Sequence, residues 1–296
     1  MPLFFDMLWL ILSILSATAI YVIFKFVDQY KTPLINVIVI NYIVAATLGF
    51  IINGSFPIND IVQSEWIFPA LIIGFFFIVL FFVVGVSSQK AGISITTVAS
   101  KMSVVIPMVF AIIAYNENVN GLKIFAIALA VLAVAMSVYV KPEKDRKSGF
   151  IAMLLPLALF IGMGVNNSLL IFSKENYVNS QVSSIFTSTC FGISLIFGVL
   201  IVLFRPASLK GFAKGRTWFF GLTLGAVNFG AVYFIFLAMN SGLLANSVTY
   251  GVVDVGIVLV TVLIGTLFFR EKLSKLNISG IILSVITIIL LTIADM

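Results

Sequence analysis

Apolar residues along this chain come in long unbroken runs, separated by short polar stretches. A helix needs about 20 apolar residues to cross the hydrocarbon core of a bilayer. On that ruler the runs predict ten spans: 7–26, 33–53, 66–88, 92–115, 121–140, 149–172, 182–204, 217–239, 243–269 and 276–294. Polar breaks supply the boundaries, among them Lys31-Thr32-Pro33, the stretch 54–65, the charged run 141–147, Arg205-Pro206, Asn240-Ser241-Gly242 and Arg270-Glu271-Lys272. Several connections hold only a few residues, so sequential helices must pack antiparallel. Strands are excluded, because the runs are too long and do not alternate.

The pattern also predicts a duplication. The charged run separates five spans from five: a first repeat over 1–140, a linker over 141–148 and a second repeat over 149–296. Lys25 and Gly49 in the first half match Lys174 and Gly198 in the second, and Glu117 after span 4 matches Glu271 after span 9. An odd number of spans per half makes the repeats enter the membrane in opposite directions. Inverted repeats of this kind build transporters with a site near the midplane. The expected fold is therefore an all-α integral membrane protein, ten transmembrane helices in two inverted five-helix repeats around a central cavity.

Composition agrees and narrows the function. The chain is 61% hydrophobic and 9% charged over 296 residues, against about 25% charged in soluble domains. The net charge of +6 does not read as nucleic-acid binding, because the basic residues sit in short loops between apolar runs. Of 17 Lys and Arg, 14 follow odd-numbered spans, while Lys123 and Lys174 lie on the opposite side and Lys101 lies inside a span. By the positive-inside rule the odd loops are cytoplasmic and both termini are outside. The N-terminal run lacks a basic leader and continues past Ala17-Thr18-Ala19, so it reads as a retained first helix. The single cysteine, Cys190, allows no internal disulfide. With no histidine, the commonest general base and metal ligand is missing, and neither a metal nor a cofactor is expected. The segment 210–216 lacks the spacing of a phosphate-binding loop.

Two charges lie where charge is most expensive. Lys101 and Asp254 each sit about halfway along an apolar run, and an ionisable group there is a functional-site hypothesis by default. They are also counterparts. Thr97 and Ser94 precede Lys101 by the same steps by which Tyr250 and Ser247 precede Asp254, each pair being 153 residues apart. Residues 3, 4 and 7 apart share a helix face. Ser94, Thr97 and Lys101 thus form one polar stripe and Ser247, Tyr250 and Asp254 another, both expected to point inward. The pair would either hold a substrate or fix helix register as a structural ion pair. Asn166 and Asn228, each mid-span, join the candidate substrate contacts, with Asn41, Tyr42, Asn167 and Tyr233 as packing residues. Pro107 is expected to kink span 4 near Lys101. Glu117 and Glu271, at span ends, are expected to serve helix termini.

Phe269-Arg270-Glu271-Lys272-Leu273-Ser274 followed by Gly280 resembles the end of an EamA domain in the drug/metabolite transporter superfamily, and Pro107 to Ala111 leading to Glu117 resembles the same element. Asn41 stands where that family carries an arginine, and Ala126 where it carries a glycine. The resemblance spans essentially the whole chain. It implies a ten-helix basket that moves small metabolites by alternating access. The expectation is a secondary transporter, an exporter of small organic metabolites such as amino acids or amphipathic compounds, in a bacterial inner membrane. A zwitterion would set its carboxylate on Lys101 and its ammonium on Asp254; alternatively Asp254 would carry a coupling proton. The expected partners are a small-molecule substrate and the bilayer, with the protein a monomer or homodimer. A membrane-embedded enzyme and a non-transporting membrane subunit are the alternatives.

Overall fold

A computed structural model describes residues 2–116, 120–139, 146–178, 182–241 and 246–294. Among these residues the fold is all-helical: α1 (Pro2–Gln29), α2 (Leu34–Asn53), α3 (Ile58–Gln63), α4 (Ile67–Lys90), α5 (Ile93–Met102), α6 (Val105–Tyr115), α7 (Gly121–Val138), α8 (Arg146–Asn176), α9 (Ser183–Leu203), α10 (Gly215–Asn240), α11 (Asn246–Leu267) and α12 (Lys275–Ala294). A 3-10 helix at Pro206–Ala213 precedes α10 and is anchored by Asn36, whose amide donates to the Ser208 carbonyl at 2.9 Å. Ten helical segments are long and apolar enough to cross a membrane, the pattern of a multi-pass membrane protein. Their outer faces carry large bare side chains such as Phe68, Ile113 and Phe219, a surface that suits lipid rather than water.

The expected ten runs and the ten helices agree to within a few residues, with two differences. The charged run expected as a linker over 141–148 is partly helical, since α8 already starts at Arg146. The other difference is span 4, which is not one kinked helix but two, α5 and α6, broken at Ser103–Val104. Pro107 has no N–H to give the Ser103 carbonyl and its ring crowds that turn. The chain tightens there instead: Val104 and Ile106 donate to the carbonyls three residues back, Lys101 and Ser103. Such irregular backbone at membrane depth is tolerated where it lines a cavity, and Ser103, Val104 and Pro107 do line one.

Helices pack around a circuit: α5 and α6 against α8, α8 against α4, α4 against α9, α9 against α2, α2 against α10, α10 against α1, α1 against α11, and α11 back against α5. Helices α7 and α12 form a tight pair behind α5 and α11. Their ends are tied head to tail. The Asn277 amide donates to the Ser137 and Tyr139 carbonyls at the end of α7, while the Asn120 amide donates to the Ala294 carbonyl at the end of α12. Ser274 caps α12, accepting from the Asn277 N–H, and Asn277 accepts back from the Ser274 N–H, a reciprocal capping box. Small residues let the pair approach; a Cβ on Gly280 would meet the Ser137 nitrogen at 2.5 Å and the Ala133 carbonyl at 2.9 Å.

Those two contacts are with backbone, which cannot swing aside. Gly280→Ala is therefore expected to destabilise the fold by about 1–3 kcal/mol, read as a lower melting midpoint of purified protein. Gly121→Ala, where a Cβ meets nothing within 4 Å, should leave that midpoint unchanged or slightly raised.

Candidate functional site

The site is built on α5, a helix of ten residues with opposite charges at its two ends. At its start, Glu271 reaches over from the turn after α11. Its carboxylate accepts from the Ile93 N–H at 2.6 Å, the Ser94 N–H at 3.1 Å and the Ser94 hydroxyl at 2.7 Å. A carboxylate on the free N–H groups of a first turn satisfies orphan donors and opposes the helix dipole favourably. Gly92 makes room for it: the residue lies at φ +97°, and a Cβ there would come within 2.6 Å of the Glu271 oxygen. At the other end, Lys101 occupies the last turn of α5, where a cation complements the dipole.

Lys101 Nζ lies 2.6 Å from Asp254 Oδ1, with the two side chains 24% and 21% exposed. The two contacts fix how the helices run. The end of α11 meets the start of α5 through Glu271, while the pair joins them further along, so α5 and α11 are antiparallel. Each charge stands eight residues from the start of its helix, Ile93 or Asn246, which is about 12 Å of rise. That is close to the middle of a core about 30 Å thick.

Lys101, Asp254 and Tyr250 line one cavity of about 650 Å³, together with Tyr21, Ser100, Asn167 and Lys174. An overlapping cavity of about 460 Å³ contains Asn166, Asn228, Tyr250 and Lys174 against aromatic walls. A third, of about 620 Å³, continues from Lys174 to Ile52 at the end of α2, Ser183 at the start of α9 and Met239 at the end of α10. The lining therefore runs unbroken from the ion pair to helix ends on one face. At the helix ends of the opposite face, contacts close the structure. Besides Glu271 on α5, the Lys25 amine donates to the Ser88 and Gln89 carbonyls at 3.3 and 3.4 Å, on the last turn of α4.

Lys101, Tyr250 and Asp254 are thus brought together, and Asn166 and Asn228 lie in the adjoining cavity. The Asn228 side-chain N–H donates to the Asn41 side-chain oxygen Oδ1 at 3.1 Å; the Asn166 amide oxygen is buried and has no partner among the described residues. The polar stripe of α5 divides. Ser94 is fully buried and belongs to Glu271, not to the cavity. Thr97, also fully buried, donates back to the Ile93 carbonyl at 2.7 Å. The side chain of Ser247, on the first turn of α11, lies outside the described residues, as do Glu117 and the linker residues 141–145.

Sequence reasoning passed over three contributors. Tyr21 of α1 sets its hydroxyl among Thr97, Ser100 and the ion pair; its signal was a lone phenol in mid-span. Lys174 counted only as a loop charge, yet it lines all three cavities. Glu271 was expected at a helix terminus, and it is at one, though the terminus belongs to a helix 177 residues away.

No family model matches this chain. An uncharacterized protein of Haemophilus influenzae is 25% identical to it over 292 residues, spanning 97% of this chain and 98% of the relative.

Removing one member of a buried pair strands the other charge, whereas removing both does not. Lys101→Met or Asp254→Leu alone should cost about 2–3 kcal/mol, less than for a dry pair because water reaches both groups. The double variant should recover most of that loss in thermal unfolding of purified protein. Glu271→Ala, which leaves two N–H groups and a hydroxyl without their charged acceptor, should cost about 2 kcal/mol in the same assay. Equal midpoints for Glu271→Ala and the parent would mean the cap does not hold α5.

Proposed function

We propose that this protein is a secondary transporter that moves small organic, amphipathic metabolites across a bacterial inner membrane by alternating access, in the direction of export. In this reading the ten helices are two inverted five-helix repeats, and the cavities described above are one central substrate chamber. The observation that carries it is the meeting of α5 and α11. Two antiparallel helices, each with its charge eight residues in, join at mid-depth under a cavity that reaches one face only. Substrate sites of inverted-repeat transporters have this placement, and a cavity closed on one face is what alternating access requires of each end state.

The unequal ends of the repeats support the same reading. Lys25 and Lys174 are counterparts, yet Lys25 holds the end of α4 on the closed face while Lys174 faces the cavity. A repeat sequence in two environments is how an inverted pair stores its other state. With the basic loops cytoplasmic, the cavity opens to the outside, as expected of an exporter after release. The Lys101–Asp254 pair is closed at 2.6 Å, so a zwitterion would enter by opening it, and a proton on Asp254 would open it equally well.

Cys190 is buried and is the single cysteine, which makes accessibility a direct test. In a Cys190→Ser background, Ser184→Cys lines the cavity and Gln89→Cys marks the closed face. In oriented membrane vesicles, a membrane-impermeant maleimide should label Ser184→Cys from outside readily. It should label Gln89→Cys from the cytoplasmic side slowly, at a rate that a transported compound changes. A Gln89→Cys rate that no compound in a broad metabolite panel alters would count against alternating access.

A further inference from the structure

The fixed charge of the cavity points to the kind of molecule it takes. Among the described residues, three charged side chains line the overlapping cavities: Lys101, Asp254 and Lys174. The first two neutralise each other at 2.6 Å. Lys174 is different. It is exposed to the cavity, borders all three of its parts, and makes no ion pair or hydrogen bond among the described residues. Its neighbour Glu175 is one residue on, about 100° around the helix, and is not in the lining. Among the described residues the chamber thus carries one positive charge without a partner inside apolar walls, where a charge acts with less screening than in water.

Two further features suit an anion beside that lysine. Ser183 on the first turn of α9 and Thr187 one turn further on line the same two cavities as Lys174. A 21-residue helix presents the positive end of its dipole there. Beyond them the wall is aromatic, with Phe77, Phe81, Phe191 and Phe236 facing Lys174 across the 460 Å³ part. On that wall Asn166 is only 4% exposed, and its buried amide oxygen has no hydrogen-bond partner among the described residues.

We propose that the chamber binds amphipathic organic monoanions, a carboxylate on Lys174 and the first turn of α9 with an apolar or aromatic body against the phenylalanines. Lys174 is then the residue that sets charge preference, and the Lys101–Asp254 pair is not the anion site in this state. The inference rests on the reading of the cavity as a substrate chamber.

The test is a matched series of probes on purified protein in nanodiscs at low salt: 3-phenylpropionate, its uncharged amide and 3-phenylpropylamine. Calorimetric titration should show binding of the carboxylate at millimolar concentration or below, with the amide and the amine at least about tenfold weaker. Lys174→Gln should weaken the carboxylate by about tenfold and leave the amide unchanged, and Lys174→Glu should turn the preference toward the amine. Lys174 is exposed and has no partner among the described residues, so both variants should unfold at the parent's temperature without ligand. The proposal is overturned if the amide or amine binds the parent as tightly as the carboxylate. It is equally overturned if Lys174→Gln binds the carboxylate as the parent does, or if the carboxylate does not bind at all. Binding is read here with no vesicle interior. A protein that binds the anion but never alternates in cysteine labelling loses the transport reading alone; one that alternates but ignores probe charge loses this one alone.

Discussion

Everything at the candidate site depends on a ten-residue helix being held at both ends by opposite charge. Helix α5 is too short to persist on its own propensity, and it stops at Met102 because Pro107 denies the next turn its hydrogen bond. Glu271 fixes its start from one neighbour and Asp254 fixes Lys101 near its end from the helix before it. Because Glu271 and Asp254 lie at different heights of one segment, these two contacts set both the direction of α5 against α11 and the depth of the pair. The stretch Glu271 to Gly280 serves the same junction three times. Its glutamate caps α5, its serine caps α12, and its glycine lets α12 close on α7.

Closure of one face and openness of the other follow from where such tethers are made. On the closed face, carbonyls and N–H groups at helix ends find charged partners in Lys25 and Glu271. On the other face Lys174 has none among the described residues, and the helix ends stand apart around the cavity. Interactions of this sort are modest one by one, with long donor distances at Lys25, which suits the proposed alternation between two states. A tether worth many kcal/mol would lock one face permanently.

Much of this was legible along the chain. The ten helices followed from hydropathy, because a bilayer accepts only long apolar segments whose backbone is satisfied internally. Lys101 and Asp254 stood out as lone charges in apolar runs, and they meet at 2.6 Å, as the cost of an unpaired charge in hydrocarbon favours. Ser94 shows where periodicity stops informing. It shares a helix face with Lys101, yet two turns away it lies at the closed end of the bundle, where Glu271 takes it. A face is a direction, and it does not say how deep a cavity extends along it.

The sequence by itself determined the solvent, the number and approximate length of the membrane spans, and the two charges that call for partners, because burying an unpaired charge in hydrocarbon is costly. Only the tertiary structure decided which helix Glu271 caps, that Tyr21 joins the pair, and that Lys174 turns into the cavity while Lys25 turns onto a helix end. Those are contacts between segments far apart in the chain. Their energies are small and depend on packing, and no local pattern encodes which of several exposed ends a flexible charged side chain will meet.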